Sequence, residues 1–404
     1  MGFSQGLSGL KAASKALDVV GNNIANSQTA GFKAGSVAFA DIFAGGTGLG
    51  VQVGSVTQNF KDGGLTTGNS ALDMGITGRG FFRMQTEGGG VFYGRNGQFE
   101  QDKNGNIISS TNGLFLTGYQ ASGTPPVINP GSPIGPIRIP SDDMPPLAST
   151  AGSLTGNLPA GDTDLHSKAD FDYKDENTFN YQSQVEAFDS LGNKHTIKIY
   201  YVQTAAGEWT AYSRNETSPT GPNDGLTELD LEFDTNGKLK GPNTKLTVNG
   251  AAFNGSNPLG VEIDFASITK YDNSYSTKLD KIDGYGAGKM LNFTVGKSGE
   301  VVVVYSNGER QNVAQVVMAD FANSGGLASE GNNLWSETPQ SGQPFFGTSG
   351  TSTFGTISGG MLEQSNVELG DEMVNMIVFQ RNYQSNSQTI KTQSELLQTL
   401  VNLR

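Results

Sequence analysis

Apolar residues recur along this chain with two different periods, and the change of period divides it. Near the start, Phe3, Leu7, Leu10, Ala13, Leu17, Val20 and Ile24 follow one another at intervals of three and four. That spacing places them in one stripe on an α-helix. Near the other end, Leu369, Met373, Met376, Tyr383, Ile390, Leu397 and Val401 fall on a three-four heptad grid, with polar Gln380, Ser387 and Ser394 at its intervening positions. A helix over about 366–402 would be roughly 54 Å long. Neither helix can bury its stripe alone. The termini can form an intramolecular coiled coil, or a coiled coil that also packs against further copies of the chain. Polar grid positions weaken an isolated pair but can set register in an assembly.

Between the helices the period drops to two. Residues 71–120 hold short apolar runs (Phe81 to Met84, Val91 to Tyr93, Leu114 to Leu116) separated by Gly88-Gly89-Gly90, Asn96-Gly97, Asn104-Gly105 and Asn112-Gly113. Asn-Gly predicts two-residue hairpins, since both residues tolerate positive φ. Eight of the fifteen prolines lie between Pro125 and Pro146, a stiff stretch that cannot join a central strand. Beyond it, Thr196, Lys198, Tyr200 and Val202 alternate with His195, Ile197, Ile199 and Tyr201, and turns are expected at Asp189 to Asn193 and Asp234 to Gly237. Asp283 to Gly288 marks a second boundary, and strands follow at Leu291 to Val295, Val301 to Tyr305 and Val313 to Phe321.

The fold class expected is multidomain and mainly β with α-helical termini, in discontinuous nested domains. Residues 1–26 and 366–404 form a terminal coiled-coil layer. Residues 27–70, rich in Gly, Ser, Thr and Ala, form a connecting arm, either a flexible linker or an extended segment ordered by partners. Residues 71–146 and 285–365 form a first antiparallel β domain, and 147–284 a second one inserted into it. Two connections at one place favour an insertion over beads on a string.

Composition sharpens this picture. Gly supplies 56 of 404 residues and charged residues only 16%, which suits many tight turns and argues against a helical bundle. The net charge is −13, so nucleic acid phosphates and anionic lipid surfaces are repelled. Residues 1–40 carry a balance of +2 and residues 365–404 one of −1, leaving −14 in the middle. Near-neutral ends can pack together while the acidic middle stays solvated. There is no Cys, so disulfides and thiolate metal sites are excluded. The start lacks the basic and apolar regions of a secretory signal, and no apolar run is long enough to span a bilayer.

Catalytic patterns do not organise. Gly2-Phe3-Ser4-Gln5-Gly6 spells a nucleophile elbow without the strand that must precede it. Gly296-Lys297-Ser298 ends like a phosphate loop, but Leu291 stands where the motif needs Gly, and a hairpin turn explains it. Asp102-Lys103-Asn104-Gly105-Asn106 begins like a calcium loop but has Ile107 at the sixth position and Gly113 at the last. It is read as a turn, with weak calcium binding by an acidic loop left open. Of the two histidines, His166 and His195, the second follows a turn within a strand pattern. No enzyme, cofactor or metal site is expected.

Several motifs carry a resemblance. Leu17-Asp18-Val19-Val20-Gly21-Asn22-Asn23-Ile24-Ala25-Asn26 with Thr29-Ala30-Gly31-Phe32-Lys33 resembles the N-terminal signature of the rod and hook proteins of the bacterial flagellum. Ser365-Asn366-Val367-Glu368-Leu369, Met373 to Ile377 and Gln380-Arg381-Asn382-Tyr383-Gln384-Ser385-Asn386 resemble the C-terminal one. Phe92 to Phe99 and Leu116 to Tyr119 are similar to the family's first β domain. Asp189 to His195 and Gly331-Asn332-Asn333-Leu334-Trp335 look like motifs of its hook members, to which the length and the inserted domain also point.

The resemblance implies a structural subunit exported by the flagellar type III apparatus without a cleaved signal peptide. Outside the cell it would assemble with itself beneath a hook cap into a curved tube, a universal joint between rod and filament. Distal rod, hook-filament junction and hook-length control proteins are the implied neighbours, with no nucleic acid and no membrane insertion. Subunit contacts are expected at Leu7, Leu10, Leu17, Val20, Asn22, Asn23, Ile24, Asn26, Gly31, Phe32, Leu369, Met373, Met376, Tyr383, Ile390, Leu397 and Val401. Asn22, Asn23 and Asn26 can equally serve as local caps, since an amide both donates and accepts. Gly31 is expected to permit a turn that seats Phe32 in a core. The alternatives are a distal rod or other flagellar axial protein, and, from a different class, a secreted β-rich adhesin or carbohydrate-binding protein using Trp209 and Tyr212.

Overall fold

The computed structural model describes residues 2–44, 47–123, 125–219 and 225–402. It is mainly β with a helix at each end, α1 (Gly2–Ala25) and α2 (Leu369–Asn402). The chain divides into two compact units. The first comprises Met1–Ser141, Asn292–Val303 and Arg310–Arg404; the second comprises Asp142–Leu291 and Val304–Glu309.

The first unit is built on an antiparallel sheet. Arg310–Asp320, Phe115–Gln120, Phe81–Gln85, Val91–Gly94, Leu334–Ser336 and Ala328–Gly331 lie side by side in that order. Phe81 and Phe82 are adjacent and both buried, because both faces of this sheet are covered. Phe81 packs with Phe60, Phe321 and Trp335, ring edge against ring face, while Phe82 meets Phe99 at 5.2 Å.

Residues 27–70 contain a long antiparallel ribbon of β1 (Gly35–Ala44) and β2 (Thr47–Gln58), in register from Gly35 opposite Gln58 and interrupted by two bulges. A free two-stranded ribbon is marginal in water. This one leans on α1: Ser8 Oγ accepts from Val51 N at 3.2 Å and Gln5 Nε2 donates to Gly48 O at 2.6 Å. Gly50, at φ 121°, passes so close that a Cβ would lie 2.1 Å from Ser8 Oγ.

The second unit is a sandwich. One sheet is the antiparallel meander Tyr181–Phe188, Lys194–Ala205, Glu208–Asn215 and Thr227–Glu232. The other has the order Lys245–Gly250, Leu259–Thr269, Ala151–Asn157, Ser276–Ile282, with Ala151–Asn157 parallel to Leu259–Thr269. Val185, Ile197, Ile199, Tyr201, Trp209 and Leu231 from the first sheet share a core with Leu246, Val248, Val261, Ile263 and Phe265 from the second. Tyr200, Val202 and Tyr212 point the other way, yet they too are buried, under Phe171, Tyr173 and Phe179.

One turn recurs at six hairpins. In residues 86–90, 102–106, 189–193, 234–238, 296–300 and 305–309 the first N–H donates to the fifth carbonyl, and the fourth residue, a Gly at φ between 73° and 89°, donates back to the first. This is a three-residue loop with a left-handed Gly, so Asn104-Gly105 does not form the expected two-residue turn. Asn96-Gly97 is no hairpin either. Gly97 lies against the strand Met74–Thr77, where its carbonyl accepts from Met74 N at 2.9 Å and a Cβ would sit 1.6 Å from Met74 O.

Both ends of the chain return to the first unit at one buried carboxylate. Glu363 Oε1 lies 2.6 Å from Lys33 Nζ and 3.0 Å from Gly63 N, and Oε2 lies 3.2 Å from Arg95. The side chains of Lys33 and Glu363 are wholly buried. Burial, and then the Arg95 charge, hold the Lys33 ammonium below its ordinary value against the pull of Glu363. Lys33 also donates to Lys61 O at 2.7 Å and Arg95 to Gly78 O at 2.7 Å. Beside them Asn366 bridges Ala34 N, Asn59 O and Lys61 O. Gly31 turns at φ 67° against the Arg95 backbone, where a Cβ would be 2.5 Å away.

Removing one member of such a cluster strands the others as buried charge. Glu363→Gln is expected to cost about 3–5 kcal/mol. Hydrogen exchange in urea should show strand Phe81–Gln85 opening at lower denaturant while strand Lys194–Ala205 is unchanged. Equal midpoints for variant and parent would refute the tie.

Candidate subunit interface

Helix α1 begins without a basic or acidic bias and runs antiparallel to α2: Gly6 lies against Ile390, Gly9 against Asn386, and Asn23 against Glu372. The seam on α1 is made of small residues. Gly6, Ala13, Ala16, Val20 and Asn23 are buried, and a Cβ on Gly9 would fall 2.6 Å from Asn386 Oδ1. The helices therefore approach closely. Within the stripe read from the sequence, Ala13 and Val20 face the seam, Leu10, Leu17 and Ile24 are half-buried, and Phe3 and Leu7 are exposed.

On α2 the seam runs one helical position away from the expected grid. Glu372, Met376, Phe379, Asn386, Ile390 and Gln393 are its less exposed residues. Gln380, Ser387 and Ser394, expected between the helices, face solvent. Met376 and Ile390 belong to both patterns, whereas Leu369, Met373, Tyr383 and Leu397 are exposed. The side chain of Val401 lies outside the described residues.

Sequence reading missed Val374, Ile377, Val378 and Leu396, which are also exposed, Val374 by 61% and Ile377 by 51%. Its signal was available. Met373-Val374-Asn375-Met376-Ile377-Val378-Phe379 is apolar nearly all round the helix, and one partner can cover only one side of it. On the ribbon Phe39 touches the Phe379 ring at 6.3 Å, and Phe43 is 68% exposed. A monomer that leaves this many large apolar side chains in water presents an interaction surface.

The three asparagines separate by role. Asn23 is buried and joins three elements: Oδ1 accepts from Gly35 N at 2.8 Å, while Nδ2 donates to Gly35 O at 2.8 Å and to Glu372 Oε1 at 3.1 Å. Asn26 caps locally, donating to the backbone and side chain of Asn22, and accepts from Thr29 Oγ1. Asn22 is exposed, and Phe32 is half-buried.

The chemical motifs resolve into structure. Ser4 lies inside α1, and Gly296 to Ser298 form a hairpin. The Asp102 carboxylate accepts from Asn104 N, Asn106 N and Asn106 Nδ2, each at 2.8 Å, and these bonds, the Asn106 side chain first, hold it below its usual range. No group of three metal-ligating side chains occurs among the described residues, and no described helix is long and apolar enough to cross a membrane. Trp209 and Tyr212 are 1% and 4% exposed, so they offer no platform for a sugar.

The seam makes a direct prediction. Gly9→Leu should force the helices apart while sparing the sheets, and Asn23→Ala should release the ribbon from both. Hydrogen exchange across residues 5–24 and 372–393 is expected to speed at least tenfold in Gly9→Leu. Unchanged protection there would show that the close approach is dispensable.

Comparison with known proteins identifies the family. Residues 5–33 match the flagella basal body rod protein family, and 75–155 the flagellar hook protein FlgE/F/G D1 domain. Residues 157–285 match the flagellar basal body protein FlaE D2 domain, and 358–403 the flagellar basal body rod FlgEFG protein C-terminal family. The chain is 44% identical to flagellar hook protein FlgE of Escherichia coli over 406 residues and 43% identical to that of Salmonella typhimurium, with 100% of each chain covered. It is 32% identical to FlgE of Borreliella burgdorferi, over 99% of this chain and 98% of that one. The crystal structure of Helicobacter pylori flagellar hook protein FlgE2 shares the fold at a TM-score of 0.54 and 16% identity, covering 72% of this chain and 98% of that one. The chain belongs to the family of flagellar hook proteins, FlgE, the structural subunits of the bacterial flagellar hook.

Proposed function

We propose that this hook subunit assembles with copies of itself into a curved, bendable tube that serves as a universal joint between rod and filament. The observation that carries this is the first three turns of α2, whose apolar residues surround the helix while α1 covers only one side. In this reading Val374, Ile377 and Val378 join Leu7, Leu369, Met373, Tyr383 and Leu397 as contacts between subunits. Residues 1–26 and 366–404 build the wall of the tube. The β domains, 71–146 with 285–365 and the inserted 147–284, carry contacts that change as the tube turns. Such contacts must be weak, polar and wet, which an acidic, Gly-rich middle supports.

Under the same proposal the chain leaves the cell through the type III export apparatus without a cleaved signal. It grows beneath a cap and meets the distal rod, junction and length-control proteins at the ends of the tube. A rod-like reading would give a straight tube, so shape separates the two. Ile377→Asp or Val374→Asp should abolish tubes in electron micrographs of the assembled protein, with circular dichroism of the β units unchanged. These sites are chosen because each side chain is at least half exposed in the free chain, so loss of assembly would not reflect loss of folding. Normal curved tubes from Ile377→Asp would sink the proposal.

A further inference from the structure

Met373 lies in the first turns of α2, within the run whose apolar side chains surround the helix. It is 54% exposed. Leu369 and Ile377 stand four residues to either side, hence on the same face of the helix, and both are exposed as well. The three form an apolar strip turned away from the seam with α1, and the thioether of Met373 is at its centre.

The other methionines are placed differently. The chain has nine. Met74, Met84, Met144 and Met318 are buried in the β units. Met290, Met361 and Met376 are half-buried, the last of them in the seam against α1. Met1 lies outside the described residues. Among the described methionines, Met373 alone presents its side chain mostly to water.

A thioether is a soft, adaptable apolar filler, suited to a surface that a partner covers. Unlike Leu or Ile it is also reactive. A peroxide transfers one oxygen to the sulfur: an S–O bond forms, the O–O bond breaks, the sulfur gives up two electrons, and water leaves. The product is a polar, chiral sulfoxide. In the free chain water solvates it. Beneath a second copy of the chain that water is lost, and the flanking Leu369 and Ile377 side chains have no N–H or O–H to replace it.

We propose that Met373 is an oxidation-sensitive site that controls assembly. As the thioether it is covered by a second copy of the chain; as the sulfoxide it keeps that copy away. The inference rests on the assembly reading above and adds a chemical control of one contact. Burying an unsatisfied polar group lowers an association constant by roughly 5- to 100-fold, so tubes should need at least about fivefold more protein to grow. Two thiols return the sulfoxide to the thioether, becoming a disulfide as water leaves, so the block is reversible.

The test treats the full-length monomer with hydrogen peroxide, maps oxidation by peptide mass spectrometry and follows tube growth in electron micrographs. Met373 should oxidise at least tenfold faster than Met84 and Met318, and should slow at least tenfold once tubes have formed. The oxidised chain should need at least fivefold more protein to grow tubes, with hydrogen exchange over 372–393 unchanged. Met373→Leu, which keeps the apolar volume, should grow tubes alike before and after treatment. Met376→Leu, which leaves Met373 in place, should be blocked as the parent is. Undiminished growth of the parent with Met373 oxidised would overturn the proposal even if Met373→Leu fails to assemble. A block that persists in Met373→Leu would do the same, and so would loss of protection across the seam, because the effect would then come through the fold. Absence of tubes from the untreated parent is a different failure: it refutes the assembly reading, and this inference with it.

Discussion

The carboxylate of Glu363 is the point on which the first unit turns. It receives Lys33, which follows α1, Arg95, the residue after the strand Val91–Gly94, and Gly63 N from the segment after the ribbon. Glu363 itself lies just before α2. A carboxylate this deep costs several kcal/mol to desolvate, and it persists because two cations and a backbone N–H surround it. Its geometry is selective: shifting any of these segments by a residue would leave a charge unpaired in an apolar setting. The chain thus has a defined place from which its two terminal helices leave the sheet.

From that place outward the balance of forces changes. The β units build cores of large side chains such as Phe81, Phe82, Trp209 and Phe265, whereas the helix pair buries glycine, alanine, Val20 and a single asparagine on the α1 side. Small residues permit close approach but release little apolar area from water, about 25 cal/mol for each Å². The larger side chains, Val374, Ile377, Phe43 and Leu397 among them, are left outside. Stability is internal in the sheets and borrowed in the termini. That asymmetry is what the proposed assembly through the termini requires.

The glycines serve this division. At residues 102–106, 189–193 and 234–238 an Asp accepts backbone N–H groups while a left-handed Gly closes the loop. One device, reused, turns short strands. It also explains why an Asp-rich loop can spell the opening of a calcium site while its carboxylate is already committed to its own backbone.

The sequence by itself determined what depends on neighbours along the chain. Two amphipathic ends, a β middle and the positions of the Asp and Gly turns all follow from local periodicity and backbone freedom, and Ile197, Ile199 and Tyr201 alternate into the core as their pattern requires. The exposed run from Met373 to Phe379 was legible too, had its lack of a polar side been weighed. What only the tertiary structure decided involves distant partners. Lys33, Arg95 and Glu363 meet across more than three hundred residues, and no spacing rule links them. The seam of α2 shifted to Glu372, Phe379 and Asn386 because α1 offers small residues and Asn23 there, and helix register answers to the shape of the facing surface. Gly97 looked like a turn but supports a close crossing with Met74. Charge pairing and close packing are properties of surfaces brought together, and a one-dimensional pattern does not carry them.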